Sequence, residues 1–181
     1  MVTSVAAADP DKNRRLVRRL SYGGLLVALI ILLLFLKQIL PTANLFILAL
    51  TALCLAIAVI EGGVGMAAIA YLAAALLSLA WPGLAVSFPF IFFFGPYPLL
   101  RAIIDQRFGR VAATLLKLVV GNILTGMVIL FFVRADVWAL AEKFPFFWYV
   151  FPVAVQAAVL LFDLVLSLLI QFYAARIRRI P

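Results

Sequence analysis

Few side chains in this sequence could take part in chemistry, and most of those lie within long apolar segments. Asp163 lies 13 residues before Arg176, which is roughly 20 Å along a helix that rises about 1.5 Å per residue. This depth predicts a carboxylate near the middle of a membrane-spanning helix. A charge there costs about 2.5–3.5 kcal/mol on insertion scales, so we expect Asp163 to face the interior of a helix bundle and to have a partner.

Other polar residues lie on the same predicted helical face or on the two preceding apolar segments. They are Gln156, Ser167 and Gln171 on the Asp163 face, Lys117, Asn122 and Thr125 one segment earlier, and Arg101 one segment before that. One hypothesis is a ligand or ion site among these three segments. The alternative is an internal ion pair between Asp163 and Lys117 or Arg101 that only fixes packing.

Residues for catalysis are scarce. The chain has no histidine, no H-E-x-x-H motif, no P-loop, no dinucleotide fingerprint and no paired acids within one span, so it lacks the groups of the common catalytic sites. The one cysteine, Cys54, lies inside an apolar run, which excludes a disulfide framework and a cysteine metal cluster. We therefore expect a protein that is not an enzyme and that holds no metal or cofactor.

Residues 84–110, LAVSFPFIFFFGPYPLLRAIIDQRFGR, form the most specific stretch of the chain. Proline removes a backbone donor and clashes with the preceding turn, so Pro96 and Pro98 predict a break in this helix. In lipid, freed backbone groups are tolerated only where neighbouring helices or a wet cavity satisfy them. We therefore expect this broken helix to pack against the others.

The aromatic run from Phe88 to Phe94 within this stretch has two interpretations. It could be bulk that faces lipid, which requires no function. Alternatively, together with Trp81, Trp148 and Tyr149, it could wall a pocket for a flat, mostly apolar ligand. The candidate polar groups of that pocket would be Asp163, Gln156 and Asn122.

Composition places the whole chain in a membrane. It has 181 residues, of which 68% are hydrophobic, and a mean hydropathy of +1.25. Because a helix needs about 20 apolar residues to cross a bilayer, we predict an all-α polytopic bundle of six transmembrane helices. The predicted spans are 20–40, 43–60, 64–80, 84–104, 111–133 and 146–173, with a turn at Glu61-Gly62-Gly63 and a short interfacial helix at 137–143. A mobile basic tail at 1–19 and a basic end at 176–181 flank this 20–175 membrane domain.

The first apolar run could also belong to a signal peptide, since a cluster of arginines precedes it. It is long, however, and no A-x-A-type cleavage site follows it, so we predict an uncleaved first span.

The distribution of lysine and arginine predicts the orientation. With six spans, eleven of these residues fall on the side of the termini and three on the other side, while Lys117 lies within the fifth span. Because positive charge stays inside, both termini are predicted to be cytoplasmic, in a bacterial inner membrane. The net charge of +8 comes from residues at the ends of apolar segments, which indicates contact with anionic lipid and not with nucleic acid.

Small residues mark a close helix contact in the second and third predicted spans. They are Ala49, Ala52 and Ala56 in the former and Gly63, Ala67, Ala70, Ala74 and Ser78 in the latter. Small residues at this spacing let two backbones approach closely. The stripe predicts either packing of these two spans against each other or a docking face for another membrane protein.

The layout resembles the substrate-binding S component of energy-coupling factor vitamin transporters, which are small, basic proteins of six helices with both ends inside. The resemblance implies ligand capture by the later spans and docking, through small residues of the earlier ones, to a membrane coupling subunit and its ATPases. Ala52-x-x-x-Ala56 and Gly63-x-x-x-Ala67 match that small-residue spacing. The family carries its alanine motif in the first span, where this chain has Gly24-x-x-x-Ala28.

The phrase FFGPYP followed by Arg101 also resembles an F-F-G-x-Y-P-x-x-basic phrase in small bacterial membrane proteins. A rival class is a membrane scaffold, similar in size and topology to rod-shape-determining proteins that recruit cell-envelope enzymes. A third class is an autonomous carrier. Many such carriers are built from inverted repeats with paired broken helices, and the sequence shows no such repeat.

Overall fold

The computed structural model describes residues 10–133 and 146–176, and this part of the chain is helical without strands. The helices are α1 (Pro10–Ile39), α2 (Asn44–Ala80), α3 (Leu84–Pro89), α4 (Pro96–Arg107), α5 (Arg110–Val128) and α6 (Phe147–Arg176). A 3-10 turn (Pro41–Ala43) joins α1 to α2. π-Helical segments at Phe90–Phe94 and Ile129–Val133 follow α3 and α5.

Five helical stretches in the described residues are long and apolar enough to cross a membrane. They are Leu20–Ile39, Asn44–Ala80, Leu84–Arg107, Val111–Phe131 and Tyr149–Tyr173. This finding confirms the prediction of an all-helical chain with helices suited to spanning a membrane.

Helix α2 folds back on itself at Gly63. This residue has φ 80° and ψ 172°, outside the helical region, in a backbone conformation that glycine adopts without steric cost. A straight helix of 37 residues would separate its ends by about 54 Å. Yet Lys37, seven residues before α2, donates a hydrogen bond to the carbonyl oxygen of Val86, six residues after it, at 2.5 Å. The two ends of α2 therefore lie on the same side of the bundle.

The fold-back defines two ends of the bundle. The end that carries the α1–α2 junction and residues Trp81–Gly83 is called the Trp81 end. The end that carries Gly63 and the α4–α5 connection is called the Asp105 end. A hydrogen bond of 3.1 Å from the Tyr173 hydroxyl to Glu61 Oε1 joins α6 to α2 near Gly63.

The proline-rich segment changes its helical form near its prolines without the predicted break: Gly95 has φ −77° and ψ −57°, and Leu84–Arg107 is one helical stretch. Helix α3 ends at Pro89, a π-helical segment covers Phe90–Phe94, and α4 begins at Pro96. Proline is well tolerated at the first position of a helix because the N–H that it lacks would have no helical partner there. At Gly95, an added Cβ would lie 2.3 Å from Tyr71 Cε2, so only glycine allows this approach to α2.

The basic tail differs from its prediction. Helix α1 starts at Pro10, so residues 10–19 of the predicted tail are helical. Pro10 stands at the first helical position, and the following Lys, Arg and Leu residues favour helix. The remainder of the tail, the predicted interfacial helix at 137–143 and the last five residues lie outside the described part.

The alanine stripe packs inside the chain. Ala52, Ala56, Ala67, Ala70 and Ala74 are all buried, and all except Ala56 belong to one core cluster with α1. Gly63 lies apart from them as the exposed hinge of α2. This burial favours packing between helices of the same chain over contact with a partner protein.

Candidate ligand cavity and the charge network beside it

Two cations and two carboxylates of α4, α5 and α6 form a connected charge network. Arg101 Nη1 lies 3.2 Å from Asp163 Oδ1, and Arg101 Nε lies 3.5 Å from Asp105 Oδ2. Lys117 Nζ lies 2.8 Å from Asp105 Oδ1. The network thus joins three helices through side chains that the sequence separates widely.

Hydroxyl groups complete the network. The Tyr97 hydroxyl donates to Asp163 Oδ1 at 3.0 Å, and Arg101 Nη2 donates to the Ser167 hydroxyl at 2.7 Å. Ser167 in turn donates to the backbone carbonyl of Asp163 at 2.7 Å, which also accepts from Arg101 Nη1 at 3.2 Å. Each charged group therefore has a partner, as a buried charge in lipid requires.

The formal charges of the network sum to zero. Arg101 and Lys117 have side chains that are 11% and 14% exposed, whereas Asp105 is 43% exposed. The arrangement matches the internal ion pair expected between Asp163 and Arg101. Lys117, the other expected partner, pairs with Asp105 instead. A balanced, hydrogen-bonded set of this kind fixes how α4, α5 and α6 pack, and its charged groups already have partners without a ligand.

A cavity of about 930 Å³ lies between α1, α2, α3, the first π-helical segment, α5 and α6. Its volume is at the upper end of the range for small-molecule sites. The lining is mostly apolar and includes five phenylalanines: Phe46, Phe88, Phe93, Phe94 and Phe162. Leu45, Phe46 and Leu161 are also exposed on the outer surface of the bundle. The cavity therefore opens sideways, toward the surface that lipid would cover.

Three of the four polar lining residues belong to the α1–α2 junction: Lys37, Gln38 and Asn44. The fourth is Thr125 on α5. Lys37 Nζ binds the Val86 carbonyl and lies 5.9 Å from the centre of the Phe88 ring. Asn44 Oδ1 is buried without a hydrogen-bond partner in the described part of the chain. The cavity therefore has a polar, positively charged end and an apolar body.

An aromatic layer separates the cavity from the charge network. Phe162 packs against Phe93, Phe94 and Tyr97 with ring centroids 5.1–5.5 Å apart. Phe93 stacks on Tyr97 with an interplanar angle of 14°. Phe93, Phe94 and Phe162 line the cavity, whereas Tyr97 and Asp163 belong to the network. The wall of the cavity and the network thus share neighbouring residues of α6.

The structure brings together only some of the residues predicted from sequence. Asp163, Arg101 and Lys117 meet in the charge network, and Gln156 is partly buried two turns from Asp163. Asn122, Trp81 and Tyr149 are exposed, and the side chain of Trp148 lies outside the described part. None of the other seven residues lines the cavity.

The aromatic run has two interpretations from sequence, lipid-facing bulk or a pocket wall. Phe88, Pro89, Phe93 and Phe94 of this run line the cavity, whereas Trp81 and Tyr149 do not. The polar groups of the cavity are different from those predicted. Lys37 and Asn44 were missed because each flanks a predicted loop, where polar residues are ordinary. The one available signal was Lys37 itself, a lysine placed within the last turn of an apolar helix.

No protein-family model, no curated protein and no solved structure matches this chain. The cavity and the network beside it are therefore the features that bear on function.

Proposed function

We propose that this chain is an integral-membrane substrate-binding subunit, S-component-like, that delivers a small, vitamin-like molecule to a transporter. The cavity of about 930 Å³ is the observation that supports this function most directly. It combines an apolar, aromatic body with a few polar groups at one end, as small-molecule sites do. In the described part of the chain, no group of ligating residues suited to a metal accompanies it.

Six membrane crossings are part of the proposal, with α2 contributing two. The halves of α2 on either side of Gly63 contain 19 and 17 residues by the helix bounds, and each is close to the length that spans a bilayer. The excess of lysine and arginine at the Asp105 end makes that end cytoplasmic. The polar end of the cavity then lies at the outer interface of a bacterial inner membrane, where a captured substrate arrives.

In such a subunit the charge network has a structural role and the cavity binds the substrate. The network holds α4, α5 and α6 together on the cytoplasmic side, where Asp105 is in reach of water. The cavity lies on the outer side of the aromatic layer. A coupling subunit with its ATPases would bind the exposed surface of the bundle, since the alanines of α2 are already used within the chain.

Native mass spectrometry of the protein extracted into lipid nanodiscs tests this proposal. The expected result is a bound mass that is neither phospholipid nor detergent, together with a membrane coupling subunit in gentle preparations. An empty protein that copurifies with a cell-envelope synthase would contradict it and would favour the scaffold.

A further inference from the structure

We propose that the ligand of the cavity is a single-chain anionic amphiphile, a long-chain carboxylate, that enters sideways from the outer leaflet. The proposal rests on the function proposed above, because it names the chemical class of the molecule that the cavity binds. It follows from three observations: the charge at one end of the cavity, the apolar body and the lateral opening.

Lys37 indicates that the head group of the ligand is negatively charged. Among the described residues it is the only charged one that lines the cavity, and none of those residues that line it is acidic. No carboxylate of the described residues lies within 4.0 Å of its ammonium group, since the ion pairs found there all belong to the charge network. The Lys37 ammonium has three donors, and the Val86 carbonyl accepts one of them. An anionic head group supplies both the missing counter-charge and the missing acceptors.

Asn44 adds a second polar contact at the same end. Its side-chain oxygen is buried without a partner in the described residues, and burying an unpaired polar atom is unfavourable. That oxygen is an acceptor, so a carboxylate does not pair with it directly. A rotation about the last bond of the carboxamide exchanges the oxygen with the amide N–H donors, and Asn44 then donates to a carboxylate placed beside Lys37. The head group would then be held by one charged and one neutral donor.

The apolar body of the cavity indicates that the part of the ligand beyond its head group is a hydrocarbon chain. Beyond Thr125, the walls are aliphatic and aromatic side chains of α3, the first π-helical segment, α5 and α6. A second charge or a sugar placed there would lose its hydration without gaining partners. Because Leu45, Phe46 and Leu161 border the cavity and are exposed, a hydrocarbon chain reaches it from lipid without crossing water.

The probe for this test is 11-(dansylamino)undecanoate, whose dansyl fluorescence rises and shifts to the blue in an apolar site. It is titrated into the full chain in nanodiscs, with empty nanodiscs subtracted, and then displaced by dodecanoate, dodecanol or dodecyltrimethylammonium. Dodecanoate is expected to displace the probe, and the neutral and cationic analogues to do so about tenfold less well, which is about 1.4 kcal/mol. Equal displacement by dodecanol would overturn the proposal.

Variants of Lys37 assign the preference to this residue. Lys37→Gln keeps a donor and removes the charge, so it should reduce the preference for dodecanoate over dodecanol to near unity, and Lys37→Arg should retain it. Each competitor partitions equally into nanodiscs that carry the wild type or a variant, so the change in preference between the two proteins is free of the effect of membrane partitioning. A preference unchanged in a folded Lys37→Gln protein would contradict the assignment.

Failure of this inference is distinguishable from failure of the proposed function. If another molecule copurifies with the wild type and a bulky residue in the cavity removes it, while dodecanoate never binds, the carboxylate proposal is wrong and the function stands. A tightly held phospholipid in the cavity would likewise overturn the single-chain proposal. If no molecule occupies the cavity and no probe binds, both proposals fail.

Discussion

The guanidinium of Arg101 lies 3.2 Å from the carboxylate of Asp163, 62 residues further along the chain. This pair joins α4 to α6 directly beside the aromatic layer that closes the cavity. Phe162, the residue before Asp163, packs on Phe93 and Phe94 and lines the cavity. The ion pair therefore positions part of the cavity wall even though neither charged group enters the cavity.

Removing Asp163 should destabilise the protein because it leaves Arg101 with a single carboxylate partner, the partly exposed Asp105. We expect Asp163→Leu to lower the free energy of unfolding by about 2 kcal/mol, less than the 3–5 kcal/mol of a fully buried pair, because the network is partly exposed and polar contacts between membrane helices contribute modestly. Thermal unfolding in nanodiscs measures this change.

A second substitution in the Asp163→Leu protein identifies which cation is the partner of Asp163. Asp163→Leu with Arg101→Leu should recover most of the lost stability, because it leaves the neutral Lys117–Asp105 pair intact. Asp163→Leu with Lys117→Leu should recover less, since it removes the 2.8 Å contact between Lys117 and Asp105 and leaves Arg101 only the longer, 3.5 Å contact to Asp105. Equal recovery in the two double variants, or a stable single variant, would contradict this assignment.

Tyr97→Phe tests the hydroxyl that links the aromatic layer to the network. The ring keeps its contacts with Phe93 and Phe162, and only the hydrogen bond to Asp163 is lost. We expect a loss of about 1 kcal/mol. Tyr149→Phe, at an exposed position, should leave the unfolding temperature unchanged. If both variants behave alike, the Tyr97 hydroxyl has no structural role.

Two glycines of α5 form a matched pair. A Cβ at Gly121 would lie 2.5 Å from Val159 Cγ1, whereas a Cβ at Gly126 would meet nothing within 4 Å. Gly121→Ala should therefore cost about 1–3 kcal/mol through overpacking between α5 and α6. Gly126→Ala should be neutral or stabilising by up to about 1 kcal/mol through helix propensity. The two unfolding temperatures, measured side by side, check this, and a neutral Gly121→Ala variant would show that α5 and α6 are not in close contact.

Reporter fusions test the proposed orientation of the bundle in the membrane. Reporter fusions after Arg110 and after Arg179 should be cytoplasmic, and a fusion between Arg134 and Lys143 should be external, because the excess of positive charge lies at the Asp105 end. An external C-terminus would exclude the six-span topology.

A cysteine at Glu61, in a Cys54→Ala background, tests the fold-back of α2. Glu61 is exposed beside the Gly63 hinge, so an impermeant thiol reagent should label it from the cytoplasmic side only. If α2 crossed the membrane once, this position would lie at mid-membrane and would stay unlabelled.

Much of the architecture could be predicted from sequence because it depends on local rules. The apolar lengths predict the helices, the prolines predict an irregularity where a π-helical segment precedes α4, and the glycines after Glu61 coincide with the hinge in α2. The three-dimensional pairing could not be predicted in the same way. Whether Lys117 reaches Asp105 or Asp163 depends on the rotation and relative height of three helices, which composition does not encode.

The cavity, too, could be predicted from the sequence only in part. Its phenylalanines belong to a run that the sequence identifies, so an aromatic wall could be expected. Its polar end depends on the contact between Lys37 and Val86, which exists only because α2 folds back and returns the chain to the Trp81 end. Beyond the placement of Lys37 in the last turn of an apolar helix, a long-range contact of this kind leaves no local signal in either segment.

Occupancy of the cavity tests the central claim most directly, with two adjacent positions of α6 as a matched pair. Ala158 lines the cavity, whereas its neighbour Ala157 does not, and both are exposed. Native mass spectrometry of the nanodisc-embedded wild type, Ala158→Trp and Ala157→Trp should show a bound small molecule on the wild type and on Ala157→Trp. Most of it should be lost from Ala158→Trp, with similar unfolding temperatures for all three. A wild type without any bound molecule, or equal occupancy of the two variants, would contradict the account.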